Sequence, residues 1–170
     1  MRERITARVL LLDPAQRILL MKGRLPSDPG APGAWFTVGG GLEPGETVME
    51  AAAREIVEET GFTDAVLGPV VWYGEGIYYD RKRRPLVVRE SYVLARCAGG
   101  EVSRDGWQAL ERELVDDIRW WTLDELTRLE EDIYPLDMVQ MLPDVLAGRF
   151  ADPPRAVRYK EPLAQETPSA

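Results

Sequence analysis

The chain has 170 residues with Lys+Arg 21 against Asp+Glu 29, a formal net charge of −8, and no histidine. The charge argues against a nucleic-acid polymer as partner. The missing histidine excludes His-based zinc sites and Ser-His or Cys-His nucleophilic pairs, leaving carboxylates as the acid–base groups. A single cysteine, Cys97, rules out a disulfide framework and suits a reducing, cytoplasmic location. No apolar run approaches the roughly 18 residues a spanning helix needs, and no leader-type h-region is visible, so no membrane partner is expected. The length suits one domain over 1–150, followed by a Pro-rich, loosely ordered tail over 151–170.

In chain order, Ile5 to Leu12 reads as a strand and Asp13-Pro14-Ala15-Gln16 as a turn. Arg17 to Lys22 should return as the second strand of a hairpin. Arg24 to Ala34 holds three prolines and two glycines, so it is a loop, either a specificity element or a plain connection. Trp35 to Val38 reads as a short strand running into Gly39-Gly40-Gly41, where the backbone can approach a phosphate or metal and offer N–H groups to an anion. Trp35 either stacks on a substrate ring or packs in the core.

The segment Gly40 to Phe62, GGLEPGETVMEAAAREIVEETGF, dominates the chain. After Glu46 and Thr47 a helical pattern runs until Gly61, a residue type favoured just past a helix end. Val48, Ala52 and Ile56 recur every four residues as an apolar stripe. Glu55, Glu58 and Glu59 stand at i, i+3 and i+4, so three like charges converge on the other face, which destabilises a helix unless something positive offsets them. Arg54 can offset one. A hard divalent cation is the economical remaining candidate, because it takes oxygen ligands.

Beyond the helix, Ala65 to Tyr73 suggests a strand interrupted at Gly68-Pro69. Glu75 to Tyr79 and Leu86 to Ala95 suggest two strands joined by the basic turn 80–85, which either draws a polyphosphate inward or is a solvated hairpin tip. One of Arg89 and Glu90 must share the helix's side of the sheet, because strand side chains alternate. Cys97 to Val115 reads as a polar loop containing Glu101, Glu111 and Glu113. Asp117 to Trp121 should be a last strand, followed by a helix that Thr122 caps with Glu125 three residues on, and Pro135 to Leu146 a final helix with Pro in its first turn.

Gly40, Glu46, Arg54, Glu55, Glu58, Glu59 and Gly61 together resemble the signature of the Nudix hydrolases, with every spacing matched. With each residue type at roughly 7% usage, chance gives such a match on the order of 10⁻⁸ per start point. Phe62 stands where the pattern prefers an aliphatic residue, and Val38 where a proline usually precedes the glycines. The resemblance covers about residues 4 to 148. It implies an α/β fold, an α/β/α sandwich with a mixed sheet between helices. It also implies a Mg²⁺-dependent pyrophosphohydrolase, with Mn²⁺ as substitute, in which water attacks a nucleoside diphosphate linked to another group. Nucleoside triphosphates, dinucleoside polyphosphates and nucleotide sugars are all open, and a homodimer is common in the family. The alternative is a Nudix-like binding module or sensor that does no chemistry.

On that resemblance Glu55, Glu58, Glu59 and the Gly40 carbonyl are the metal ligands, Arg54 orients the carboxylates, and Glu46 fixes the loop–helix junction. Glu113 is the preferred loop acid to activate water or complete the metal shell, with Glu111 second. Arg24, Trp35, Gly40, Gly41, Tyr79 and Arg89 are the expected substrate contacts.

Overall fold

The computed structural model describes residues 1–24, 30–80 and 82–158. Among them, strands β1 (Arg2–Leu12), β2 (Ile18–Gly23), β3 (Ala34–Gly41), β4 (Val66–Tyr79), β5 (Pro85–Arg96), β6 (Val115–Trp121) and β7 (Arg155–Ala156) form one sheet. Their order is β6-β2-β3-β1-β5-β4-β7. β1 runs parallel to β5, and β7 parallel to β4, while the remaining pairs are antiparallel, so the sheet is mixed.

Alternation along β1 creates the layers. Ala7, Val9 and Leu11 point to one face and pack with Val38, Val93 and the apolar stripe of helix α1 (Val48–Thr60), including Ala52 and Ile56. Leu10 and Leu12 point to the other, against Leu126 of α3 (Leu123–Arg128) and Met138, Met141, Leu142 and Val145 of α4 (Met138–Leu146). Helices therefore cover both faces, giving the expected sandwich. Burying a side chain such as Ile56 contributes about 2 kcal/mol.

Several elements depart from the expected boundaries. The strand expected over Trp35 to Val38 continues through the three glycines: Gly39, Gly40 and Gly41 pair with Arg8, Ala7 and Thr6 of β1. Gly68-Pro69 does not break β4 but falls within a register shift between Leu67 and Val70, where a bulge absorbs the irregularity. Within the expected 97–115 loop, Ala109–Leu114 forms a short helix, α2, closed by a Gln108/Glu111 capping box. α4 begins at Met138, so Pro135 precedes it instead of occupying its first turn. Thr122 caps α3 through the expected box with Glu125. No described helix is long and apolar enough to cross a membrane.

The loose-tail expectation does not hold for residues 155–158. β7 pairs with Trp72 and Tyr73, Val157 is buried in the α3/α4 core, and Arg158 is bonded to Asp137. Residues 159–170 lie outside the described residues.

Candidate active site

Helix α1 is fixed at both ends by local chemistry. Thr47 and Glu50 form a reciprocal capping box at its start, worth about 1 kcal/mol, and Gly61 takes the left-handed turn (φ 76°) at its end. The Thr47–Gly61 frame presents Arg54, Glu55, Glu58 and Glu59 to the end of β3.

Contact with β3 is close. A Cβ on Gly40 would fall 2.3 Å from Glu55 Oε1, so only glycine lets this carboxylate lie on the strand. The Gly39 N–H donates to Glu59 Oε2 at 3.1 Å. That amide is therefore engaged and not open to an anion, as the glycine run had suggested. Glu55 and Glu59 are each 6% exposed. Burial pushes both carboxyls up, Glu59 well above the ordinary range, and their mutual repulsion adds to the effect on Glu59.

Arg54 is the counterweight. It donates to Glu46 (2.8 and 2.9 Å), Glu55 (2.8 Å), Glu58 (3.1 Å) and the Gly41 carbonyl (3.0 Å). The guanidinium pulls Glu46 down to about 2. Glu46 thus ties the loop to the helix through Arg54. One guanidinium cannot neutralise the remaining carboxylates.

A third acid arrives from outside the helix. Oxygens of Glu55, Glu59 and Glu111 all lie within 4.8 Å of one another. Glu111 is placed there by α2, which is anchored by the Trp107 indole N–H donating to the Glu59 carbonyl at 2.7 Å. This set contains only oxygen donors, and its two buried members carry charge that a cation would offset, so it fits a hard divalent ion. Glu58 is outside the set: it turns to Arg54 and its side chain is 35% exposed. Glu113 is exposed and outside the set, on the same short helix as Glu111. The order of preference between the two loop acids is therefore reversed.

The expected substrate contacts scatter. Trp35 is 1% exposed, with its ring edge-on to Trp121 at 4.8 Å, so it is core and cannot stack on a ligand. Arg24 bonds the Glu113 carbonyl and pairs with Asp116. Tyr79 pairs with Pro85 at the hairpin tip, whereas its neighbour Tyr78 lies in the field of Glu90 and Arg8. Arg89 shares α1's side of the sheet, through its register with Ile5, and is held between Glu3 and Glu75. In the basic turn, Arg84 is bound to Asp80 together with Arg2 from β1, and residue 81 lies outside the described residues. Only Gly40 and Gly41 lie at the carboxylate cluster.

One residue escaped the sequence reading. Arg8, on the sheet face opposite α1, donates to Glu90 at 2.9 Å and to the Thr37 and Gly39 carbonyls at 3.5 and 3.4 Å. Tyr92 donates to Glu90 at 3.1 Å. Gly39 is thus gripped through its carbonyl by Arg8 and through its N–H by Glu59. The available signal was a lone arginine inside the apolar run of β1.

Comparison with known proteins agrees with this geometry. A profile described as the NUDIX domain matches residues 2–144. A Bacillus subtilis (strain 168) protein provisionally named 8-oxo-dGTP diphosphatase is 35% identical over 99 residues, covering 58% of this chain and 56% of that protein. The nucleoside triphosphatase NudI of Enterobacter sp. (strain 638) is 56% identical over 39 residues, 22% of this chain and 28% of its own length. The chain therefore spans about half of one relative and just over a quarter of the other. Among solved structures, the MutT protein from Methanosarcina mazei Go1 superposes with a TM-score of 0.58 at 20% identity, covering 85% of this chain and 95% of that one; this likeness shows the fold. With the profile match spanning most of its length, the chain belongs to the NUDIX family.

Proposed function

We propose that this chain is a metal-dependent hydrolase cleaving a phosphoanhydride bond in a nucleoside diphosphate linked to another group, by attack of water at phosphorus. The observation that carries this reading is the convergence of Glu55, Glu59 and Glu111 on one point beside Gly40, where among the described residues only Glu55 is ion-paired to an arginine, Arg54. The names of the two relatives favour a nucleoside triphosphate as substrate, ahead of dinucleoside polyphosphates and nucleotide sugars.

Glu55, Glu59 and Glu111 would hold Mg²⁺, or Mn²⁺ in its place, with the Gly40 carbonyl alongside. When bound, the ion would polarise phosphate oxygens and lower the pKa of a water. Glu58, more exposed and outside that set, takes the proton from the attacking water. Arg54 keeps Glu58 and Glu55 oriented from one guanidinium, and its bond to Glu46 holds the loop against the helix. The Gly39 N–H keeps Glu59 in place.

The test is phosphate or nucleotide release across a panel of nucleoside triphosphates, dinucleoside polyphosphates and nucleotide sugars, with Mg²⁺ and with EDTA. Mg²⁺-dependent cleavage of a panel member is expected. Silence across the panel, with nucleotide-induced melting shifts retained, would favour a binding module instead.

A further inference from the structure

The carboxylate cluster faces one side of the β3 terminus, and the other side carries a further cation, Arg4. Gly40 points at α1, so Gly41 points the opposite way. A Cβ on Gly41 would fall 2.6 Å from Nε and 3.0 Å from Nη2 of Arg4. The Arg4 guanidinium therefore lies on the Gly41 peptide, in room that exists only because residue 41 lacks a side chain. The carbonyl of the same residue accepts from Arg54.

Charge distribution distinguishes Arg4 from its neighbours. Arg8 is paired with Glu90, Arg54 with Glu46, Glu55 and Glu58, and Arg89 with Glu3 and Glu75. Arg4 makes no ion pair or hydrogen bond among the described residues. Its donors are free, it is exposed, and its Gly41 perch adjoins the residue on which Glu55 rests; adjacent Cα atoms are about 3.8 Å apart. A chain of net charge −8 whose candidate site is built of carboxylates repels a polyanion unless a cation meets it. A guanidinium with free donors matches phosphate oxygens two at a time.

We infer that Arg4, seated on Gly41, is a substrate-binding residue that takes a phosphoryl group of the substrate's diphosphate chain around the end of β3 from the carboxylate cluster. This rests on the proposed hydrolase reading for its substrate class. It involves no bond making or breaking by Arg4 and assigns it affinity, not turnover.

Two measurements test it. Steady-state kinetics of Arg4→Ala on the substrate the wild type cleaves should show KM raised about tenfold with kcat within twofold and an unchanged Mg²⁺ requirement; Arg4→Lys should recover part of the loss. Calorimetry with imidodiphosphate and Mg²⁺ should show about tenfold weaker binding by Arg4→Ala, whether or not the wild type hydrolyses anything. Loss of imidodiphosphate affinity in a protein that cleaves no panel member would support the Arg4 assignment while removing the hydrolase reading. Unchanged KM and unchanged imidodiphosphate binding, a loss confined to kcat, or a wild type that binds no imidodiphosphate would each overturn the assignment.

Discussion

Two arginine–carboxylate networks meet at Gly39–Gly41, one on each face of the sheet, and they solve different problems. On the far face, Arg8 is matched to Glu90 and also donates to two carbonyls, and Tyr92 donates to Glu90. On the α1 face, Arg54 is shared among Glu46, Glu55 and Glu58, while Glu59 and Glu111 crowd in with no ion-paired arginine among the described residues. The first network is balanced and serves position. The second is left in acidic excess, and burial raises both Glu55 and Glu59, Glu59 well above the ordinary carboxylate value. A folded protein that keeps such an excess is poised for a cation.

That contrast can be broken at several points. Replacing Glu58 with Gln should keep the fold by circular dichroism yet lower turnover at least a hundredfold, the size of a lost general base; near-normal turnover at saturating Mg²⁺ would remove Glu58 from the mechanism. On the far face the effect should fall on stability. Arg8→Met takes the ion-pair partner from the buried Glu90 and should cost about 3 kcal/mol in urea unfolding, and the double replacement with Glu90→Leu should recover much of it. A double variant no more stable than Arg8→Met would mean the network is not a balanced pair.

The reversed order of the loop acids is the next test. Glu111→Ala should raise the Mg²⁺ concentration for half-maximal activity about tenfold, as for a lost ligand-shell group, whereas Glu113→Ala should leave it within twofold. Equal effects would return Glu113 to consideration. The smallest expected effect concerns Glu59 without metal. A carboxyl raised by burial favours its protonated form in the fold, so its contribution is intact below the ordinary carboxylate pKa and is lost as pH rises through the raised value. In EDTA at pH 8, Glu59→Gln should therefore melt a few degrees higher than the wild type, and the gap should close toward pH 5. A lower melting temperature at pH 8 would show that Glu59 is stabilising as a carboxylate.

How legible all this was depended on whether a feature was local. The α1 stripe, its glycine stop, the three helical carboxylates and the Thr122 cap follow from spacing along one segment. The sheet order does not, and with it went everything set by register. Trp35 becomes core because β3 lies between β1 and β2, facing α4's side beside Trp121. Arg89, and not Glu90, shares α1's face because it pairs with Ile5. Glu111 reaches the cluster through a single helical turn held by Trp107, a contact between residues 48 positions apart in sequence. Arg8 was visible as a charge in an apolar strand, but its partner Glu90 is 82 positions away.

The short β7 has a practical consequence. β4 is 14 residues long and, on the side away from β5, is met only by β7 among the described strands. An uncovered strand of that length presents a row of unpaired amides and carbonyls that another chain can pair with. Residues 155–158 blunt part of that row and tether themselves to the start of α4 through Arg158 and Asp137. Ending the protein at residue 150, as the sequence invites, would leave Trp72 and Tyr73 as an open template for aggregation, so a shortened form should be cut after residue 158.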